Sequence, residues 1–122
     1  ITLDQAVKLI EWSYTNPNSH GKIVVPNIKS FGVVDIAKIL LKEYLGSEYE
    51  NNLKFVGMRK GEKLHEEMIS AEEWMRTEYY ENFMITDDIL KNEAISYNSL
   101  DVLMPYEDVY SFLVENGVIK KK

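Results

Sequence analysis

The run Gly57-Met58-Arg59-Lys60-Gly61-Glu62-Lys63-Leu64-His65-Glu66 is dense in charged side chains and bounded by glycines. Arg59 carries a planar guanidinium whose fork matches the edge of a phosphate or carboxylate. Gly61 lets the backbone approach a ligand closely, and Glu62 can accept hydrogen bonds from a vicinal diol. A partly buried arginine–phosphate contact contributes about 1.5–3 kcal/mol. The segment is therefore a candidate anion site. A solvated loop, with Arg59 paired to Glu62 or Glu66, is the competing reading.

Other groupings carry less chemistry. His65-Glu66 starts like a His-Glu-x-x-His zinc helix, but position 69 is Ile69, and the other histidine, His20, lies in a turn. No metal site is expected. Glu62 and Glu66 are four residues apart and could share a helical face for acid–base work, although a solvated face is the plainer reading. Asp87-Asp88 reads as a turn. No Gly-x-Gly-x-x-Gly follows a strand, and none of the eight tyrosines has a lysine four residues later. Trp12 and Trp74 read as core or interface residues. Without cysteine there are no disulfides, thiolate metal sites or cysteine nucleophiles.

Composition sets the frame for these groups. The chain has 122 residues, enough for one domain or a piece of a larger one. Fourteen Lys and Arg against 20 Asp and Glu give a net charge of -6, which argues against nucleic acid as the main partner. No apolar stretch reaches the roughly 20 residues of a membrane span, and no signal peptide is visible. The missing cysteines fit a reducing compartment, and a cytoplasmic location is expected.

The elements that must position the charged segment follow from spacing. Thr2 with Gln5 is a capping-box pair, and Leu3, Ala6, Val7 and Ile10 form the stripe of a helix from Thr2 to about Tyr14. Lys22-Ile23-Val24-Val25 reads as a strand buried on both faces, ended by Pro26. A second helix is expected from about Asp35 to Leu45, stopped by Gly46. Leu53-Lys54-Phe55-Val56 alternates like a strand. Ser70 with Glu73 caps a short helix, Ala71 to about Arg76. Phe83-Met84-Ile85 and Ala94-Ile95-Ser96-Tyr97 read as short strands. Pro105 suits the first position of a last helix, stopped by Gly117. The helix–strand–helix–strand rhythm of the first half predicts an α/β architecture with at least one parallel pair.

Three stretches, in order, resemble one family: Ile1-Thr2-Leu3-Asp4-Gln5-Ala6-Val7, Gly21-Lys22-Ile23-Val24-Val25-Pro26-Asn27-Ile28-Lys29-Ser30, and Val56 to Ser70 with its Arg-x-Gly-Glu-Lys-Leu-His-Glu string. Tyr97-Asn98-Ser99 resembles the family's tail. The likeness, over Ile1 to about Leu113, is to the C-terminal portion of the nucleotide-sugar 4,6-dehydratases and epimerases of polysaccharide and flagellin-sugar biosynthesis, in the extended short-chain dehydrogenase/reductase superfamily. Within that family it is greatest to the inverting UDP-N-acetylglucosamine 4,6-dehydratases.

The resemblance implies the end of a Rossmann-type parallel sheet over 1–52 and a small α+β substrate-binding cap over 53–122. The strand at Lys22 to Val25 would be the sheet's last parallel strand. The family chemistry is removal of hydride from C4 of the hexose, loss of water across C5–C6 and return of hydride to C6. NAD or NADP carries the hydride and a Tyr-x-x-x-Lys pair assists as base. Both belong to an N-terminal Rossmann half that this chain lacks, so no catalytic residue is expected here. Arg59 matches the family arginine that contacts the substrate diphosphate. Glu62 matches the acidic residue that lies near the uridine ribose in related epimerases. His65 and Glu66 match supporting positions. The implied partners are a UDP-sugar, the chain's own Rossmann half and further copies of the enzyme. Three departures from the commonest pattern stand out: Lys60 where Pro is frequent, Val34 where Thr often precedes the helix, and a longer loop over Glu48 to Asn52. From a different class, an acidic α/β interaction domain without a nucleotide site is the alternative.

Overall fold

In a computed structural model, residues 1–46 and 51–120 are described. The order of elements is α1 (Leu3–Thr15), a 3-10 turn (Pro17–Ser19), β1 (Ile23–Val25), α2 (Val33–Leu45), β2 (Glu67–Ile69), α3 (Ala71–Trp74), β3 (Thr77–Tyr79), β4 (Phe83–Ile85), β5 (Tyr97–Asn98) and α4 (Tyr106–Glu115). They form two compact units: residues 1–28 with 65–101, and residues 29–64 with 102–122.

The first unit holds the sheets. β3 and β4 form a hairpin, and β1 adds to the free edge of β4, giving the order β1-β4-β3. Ile23, Val24 and Val25 stand opposite Ile85, Met84 and Phe83 in antiparallel register. β2 and β5 make a second antiparallel ladder, with Glu67 opposite Asn98 and Ile69 opposite Tyr97. Val25, Ile69, Met84, Ile85 and Tyr97 are the buried apolar residues here. α1 starts as its capping box predicts: the Gln5 amide donates to Thr2 Oγ1 and the Thr2 amide to Gln5 Oε1.

The second unit packs α2 on α4. Ile39, Val109, Leu113 and Ile119 are its buried centre, with Phe31, Ile36, Leu40, Met104 and Val114 against them. Gly46 ends α2 at φ 70°, and Gly117 follows α4 at φ 70°. A parallel bridge joins Ser30 to Leu103.

The molecule is thus mixed α/β, and several expectations need correction. The strand over Lys22 to Val25 pairs antiparallel, so no Rossmann-type parallel sheet forms among the described residues. A β-branched run specifies a strand but neither its direction nor its burial: Ile23 is exposed, so the strand is not buried on both faces. Parallel pairing also needs a crossover of a dozen or more residues to a second strand. Leu53 to Val56, the expected second strand, forms no strand with the described residues, and Phe55 and Val56 are exposed. β2 and β3 were not expected. α3 stops at Trp74 rather than Arg76, and the Glu73 carbonyl at its end accepts from the Arg76 amide at 2.9 Å and from Thr77 Oγ1 at 2.7 Å. Pro105 is the N-cap, with ψ 146°, one residue before the expected position. Part of the longer loop over Glu48 to Asn52, namely Glu48 to Glu50, lies outside the described residues, as do Lys121 and Lys122 of the basic end.

The capping box of α3 makes a pH-dependent contribution. Glu73 Oε2 accepts from the Ser70 amide at 2.9 Å and from Ser70 Oγ at 2.8 Å, and these bonds hold its carboxyl below the ordinary 4.5. A depressed carboxyl stabilises the fold above its unfolded value, and that contribution is lost as pH falls through the folded value. Glu73→Ala should therefore be less stable than wild type at pH 7 by about 0.5–1.5 kcal/mol, the net worth of a hydrogen bond. The gap should close as pH drops below 4.5. Urea midpoints at both pH values read this directly, and a gap that is unchanged in acid counts against it.

Candidate functional site

Arg59 and Glu62 sit across a tight turn. The Glu62 amide donates to the Arg59 carbonyl at 3.1 Å, and the Arg59 amide donates to Glu62 Oε2 at 2.7 Å. Gly61, at φ 89°, supplies the positive φ that this turn needs. Arg59 Nε lies 3.9 Å from Glu62 Oε1, with the side chains 79% and 49% exposed. A pair this open is worth about 0–1 kcal/mol, so an anion can displace it at small cost. The structure therefore brings together the two residues assigned to substrate. The guanidinium faces solvent, in loose contact with its own carboxylate.

His65 and Glu66 are also exposed, but Glu66 is fixed through its main chain. Its amide donates to Ser99 Oγ at 3.1 Å, and its carbonyl accepts from the Ser99 amide at 2.8 Å. The Tyr97-Asn98-Ser99 triplet is thus joined to the end of the charged segment, a link that no local sequence signal marks across 33 positions.

An aromatic cluster escaped sequence reasoning. Phe83 stacks at a tilt on Tyr97 (4.7 Å between centroids), Tyr79 (5.0 Å) and Trp74 (5.9 Å). Lys91 Nζ stands 4.0 Å from the Trp74 ring centroid, and Asn27 Nδ2 donates to the Tyr79 hydroxyl. Its signal was a run of aromatics at 74, 79, 83 and 97, scattered over four elements. Burial, with the nearby charge of Asp101 and then Tyr79, pushes the Tyr97 phenol above 10.0. Its buried hydroxyl has no hydrogen-bond partner among the described residues. An unpaired buried hydroxyl costs about 1–3 kcal/mol, so Tyr97→Phe should be neutral or slightly stabilising by thermal melt. A marked loss would mean that the hydroxyl has a partner, such as an ordered water.

No described residues form a group of three or more His, Asp or Glu able to hold a metal. At the start of α2 a dinucleotide pyrophosphate fits poorly. The glycine at the start of α2 is Gly32, and Asp35 Oδ2 lies 2.7 Å from where its Cβ would be. A carboxylate thus occupies the end of the helix where a pyrophosphate would need open amides. No described helix is long and apolar enough to cross a membrane.

Part of the apolar surface is uncovered. On α1, Leu3 is 80% and Ile10 67% exposed, with Val7 and Tyr14 on the same stripe. β1 is an edge strand, and exposed Ile23 lies on it. A hollow of about 330 Å³ beside them is lined by Leu9, Ile10, Ser13, Ser19, Lys22 and Val24.

A family model described as "Polysaccharide biosynthesis protein" matches residues 1–88. The chain belongs to that family. The inverting UDP-N-acetylglucosamine 4,6-dehydratase of Campylobacter jejuni subsp. jejuni serotype O:2 is 31% identical over 91 residues, 75% of this chain and 25% of that protein. An uncharacterized membrane protein of Methanocaldococcus jannaschii is 30% identical over 110 residues, 83% of this chain and 32% of its own length. The solved structure of Pen from Bacillus thuringiensis superposes at a TM-score of 0.76, with 20% identity, covering 98% of this chain and 37% of that one. This last likeness concerns the fold alone. The chain spans about a quarter to a third of the curated relatives it matches.

Proposed function

We propose that this chain is the substrate-binding C-terminal part of an NAD(P)-dependent UDP-sugar 4,6-dehydratase or epimerase acting on UDP-N-acetylglucosamine or a close analogue. The observation that carries the reading is the Arg59–Glu62 turn. It offers a solvent-facing guanidinium and a carboxylate at one bend, in a chain of the polysaccharide biosynthesis family. Arg59 binds the diphosphate and Glu62 the ribose hydroxyls. His65 and Glu66 support the loop. Hydride transfer and proton abstraction fall to an N-terminal Rossmann portion, which supplies the dinucleotide site and the base.

The uncovered stripe of α1 and the open edge of β1 support that division, since both offer apolar surface to a companion lobe. Burying a side chain such as Leu3 or Ile10 there contributes about 1.5–3 kcal/mol. The enzyme works in the cytoplasm, where nucleotide sugars are made, as a homo-oligomer. Titration of UDP into the chain joined to its Rossmann portion, as wild type and as Arg59→Ala, tests the reading. Equal affinities would sink it.

A further inference from the structure

The loop that carries Arg59 runs against the charge of the chain. From 54 to 63, the cations Lys54, Arg59, Lys60 and Lys63 stand against one carboxylate, Glu62, in a protein of net charge -6. All five residues are exposed. They belong to one compact unit, residues 29–64 with 102–122. The other described carboxylates of that unit, Asp35, Glu43, Glu107, Asp108 and Glu115, lie on α2 and α4, outside the loop.

Little of this positive charge is neutralised locally. Arg59 meets Glu62 in a loose surface pair. Among the described residues, Lys54, Lys60 and Lys63 make no ion pair. Lys60 is next to Arg59, Lys63 is four residues on and Lys54 five residues back. Even with the chain fully extended, their Cα atoms lie within about 4, 14 and 18 Å of the Arg59 Cα. Gly57 and Gly61 have φ of 77° and 89°, and a Cβ built on either would meet nothing within 4 Å. The described residues thus leave the loop open to water.

A surface lysine keeps its water. Its ammonium is a compact, strongly hydrated charge on a flexible stem, which holds a ligand weakly in any one geometry. Several such charges act well at a distance, because they raise the local concentration of an oppositely charged ligand and its rate of encounter. A nucleoside diphosphate is strongly anionic, and the net charge of the chain opposes its approach elsewhere.

We propose that Lys54, Lys60 and Lys63 form an electrostatic guide that draws an anionic nucleotide to Arg59 without holding it there. The proposal rests on the reading of Arg59 as the diphosphate contact. The guide sets how fast the ligand arrives, and Arg59 sets how long it stays. Removing exposed charges around a site changes association and its salt dependence, whereas removing a contact changes dissociation.

UDP is mixed by stopped flow with the chain joined to its Rossmann portion, as wild type, as Arg59→Ala and as the triple variant Lys54→Gln/Lys60→Gln/Lys63→Gln. At an ionic strength of about 0.1 M charges act over about 10 Å. There the triple variant should associate about three- to tenfold more slowly and dissociate within about twofold of wild type. At about 1 M the reach falls to about 3 Å, and the two association rates should converge. Lys8, Lys42 and Lys120 are exposed and lie outside the loop. Changing those three to Gln alters the net charge equally and should leave the association rate within about twofold of wild type. Arg59→Ala should lose affinity mainly through faster dissociation. A triple variant that associates like wild type at about 0.1 M, or that loses affinity through dissociation, overturns the guide. So does an equal loss in the control, which would assign the effect to net charge alone. These outcomes leave the Arg59 reading standing. An Arg59→Ala form that binds UDP like wild type overturns that reading, and the guide with it.

Discussion

Arg59→Ala should weaken UDP binding by tenfold or more in the chain joined to its Rossmann portion. A charge-assisted hydrogen bond to phosphate contributes about 1.5–3 kcal/mol, and each 1.4 kcal/mol is a factor of ten. Little offsets that loss. The contact with Glu62 that the guanidinium gives up is a 3.9 Å approach at the surface, so releasing it for a phosphate costs little. The turn should survive the substitution, because Glu62 Oε2 accepts from the Arg59 main-chain amide rather than from its side chain. Arg59→Lys should recover only part of the affinity, since an ammonium keeps the charge and loses the planar fork. Salt provides a second check. Raising ionic strength should weaken the wild type more than Arg59→Ala, because the screened attraction is the one that the variant has lost. An affinity insensitive to both the substitution and salt would favour the acidic interaction domain without a nucleotide site.

Local grammar made the helices and their ends legible. Thr2 with Gln5 and Ser70 with Glu73 form the capping boxes that their three-residue spacing announces. Gly46 and Gly117 stop their helices with the positive φ that glycine tolerates. The sheets were harder to read for a physical reason. Strands of two or three residues are too short for a period of two to register, and periodicity says nothing about pairing direction. Leu53 to Val56 has the alternation of a strand and no strand partner among the described residues. Glu67-Met68-Ile69 lies in a charged stretch and becomes a strand because Tyr97 and Asn98 are there to pair with it. The site divides in the same way. Arg59, Gly61 and Glu62 announced themselves by residue type, and their turn is local. The bond from the Glu66 amide to Ser99 Oγ did not announce itself, because a contact across 33 positions is fixed by the fold.

Leu113→Ala should cost about 2–5 kcal/mol, a large share of the 5–15 kcal/mol by which a domain is usually stable. Leu113 is 3% exposed and joins Ile39, Val109 and Ile119 at the centre of the second unit. Its main chain also closes the end of α4. The Leu113 carbonyl accepts from the Val118 amide at 2.9 Å and the Ile119 amide at 3.2 Å, which turns Ile119 back into the core. Deleting the side chain removes the apolar contacts and leaves a cavity walled by α2 and α4, two helices that cannot easily close over it. The urea midpoint should fall while the slope stays constant, the mark of lost stability rather than altered compactness. Leu3→Ala is the control in the chain on its own: Leu3 is 80% exposed, and its loss should shift the midpoint by no more than about 0.5 kcal/mol. Joined to the Rossmann portion, the same Leu3→Ala change should become costly if that lobe covers α1. A Leu113→Ala cost below about 1 kcal/mol would mean that α2 and α4 do not share a core.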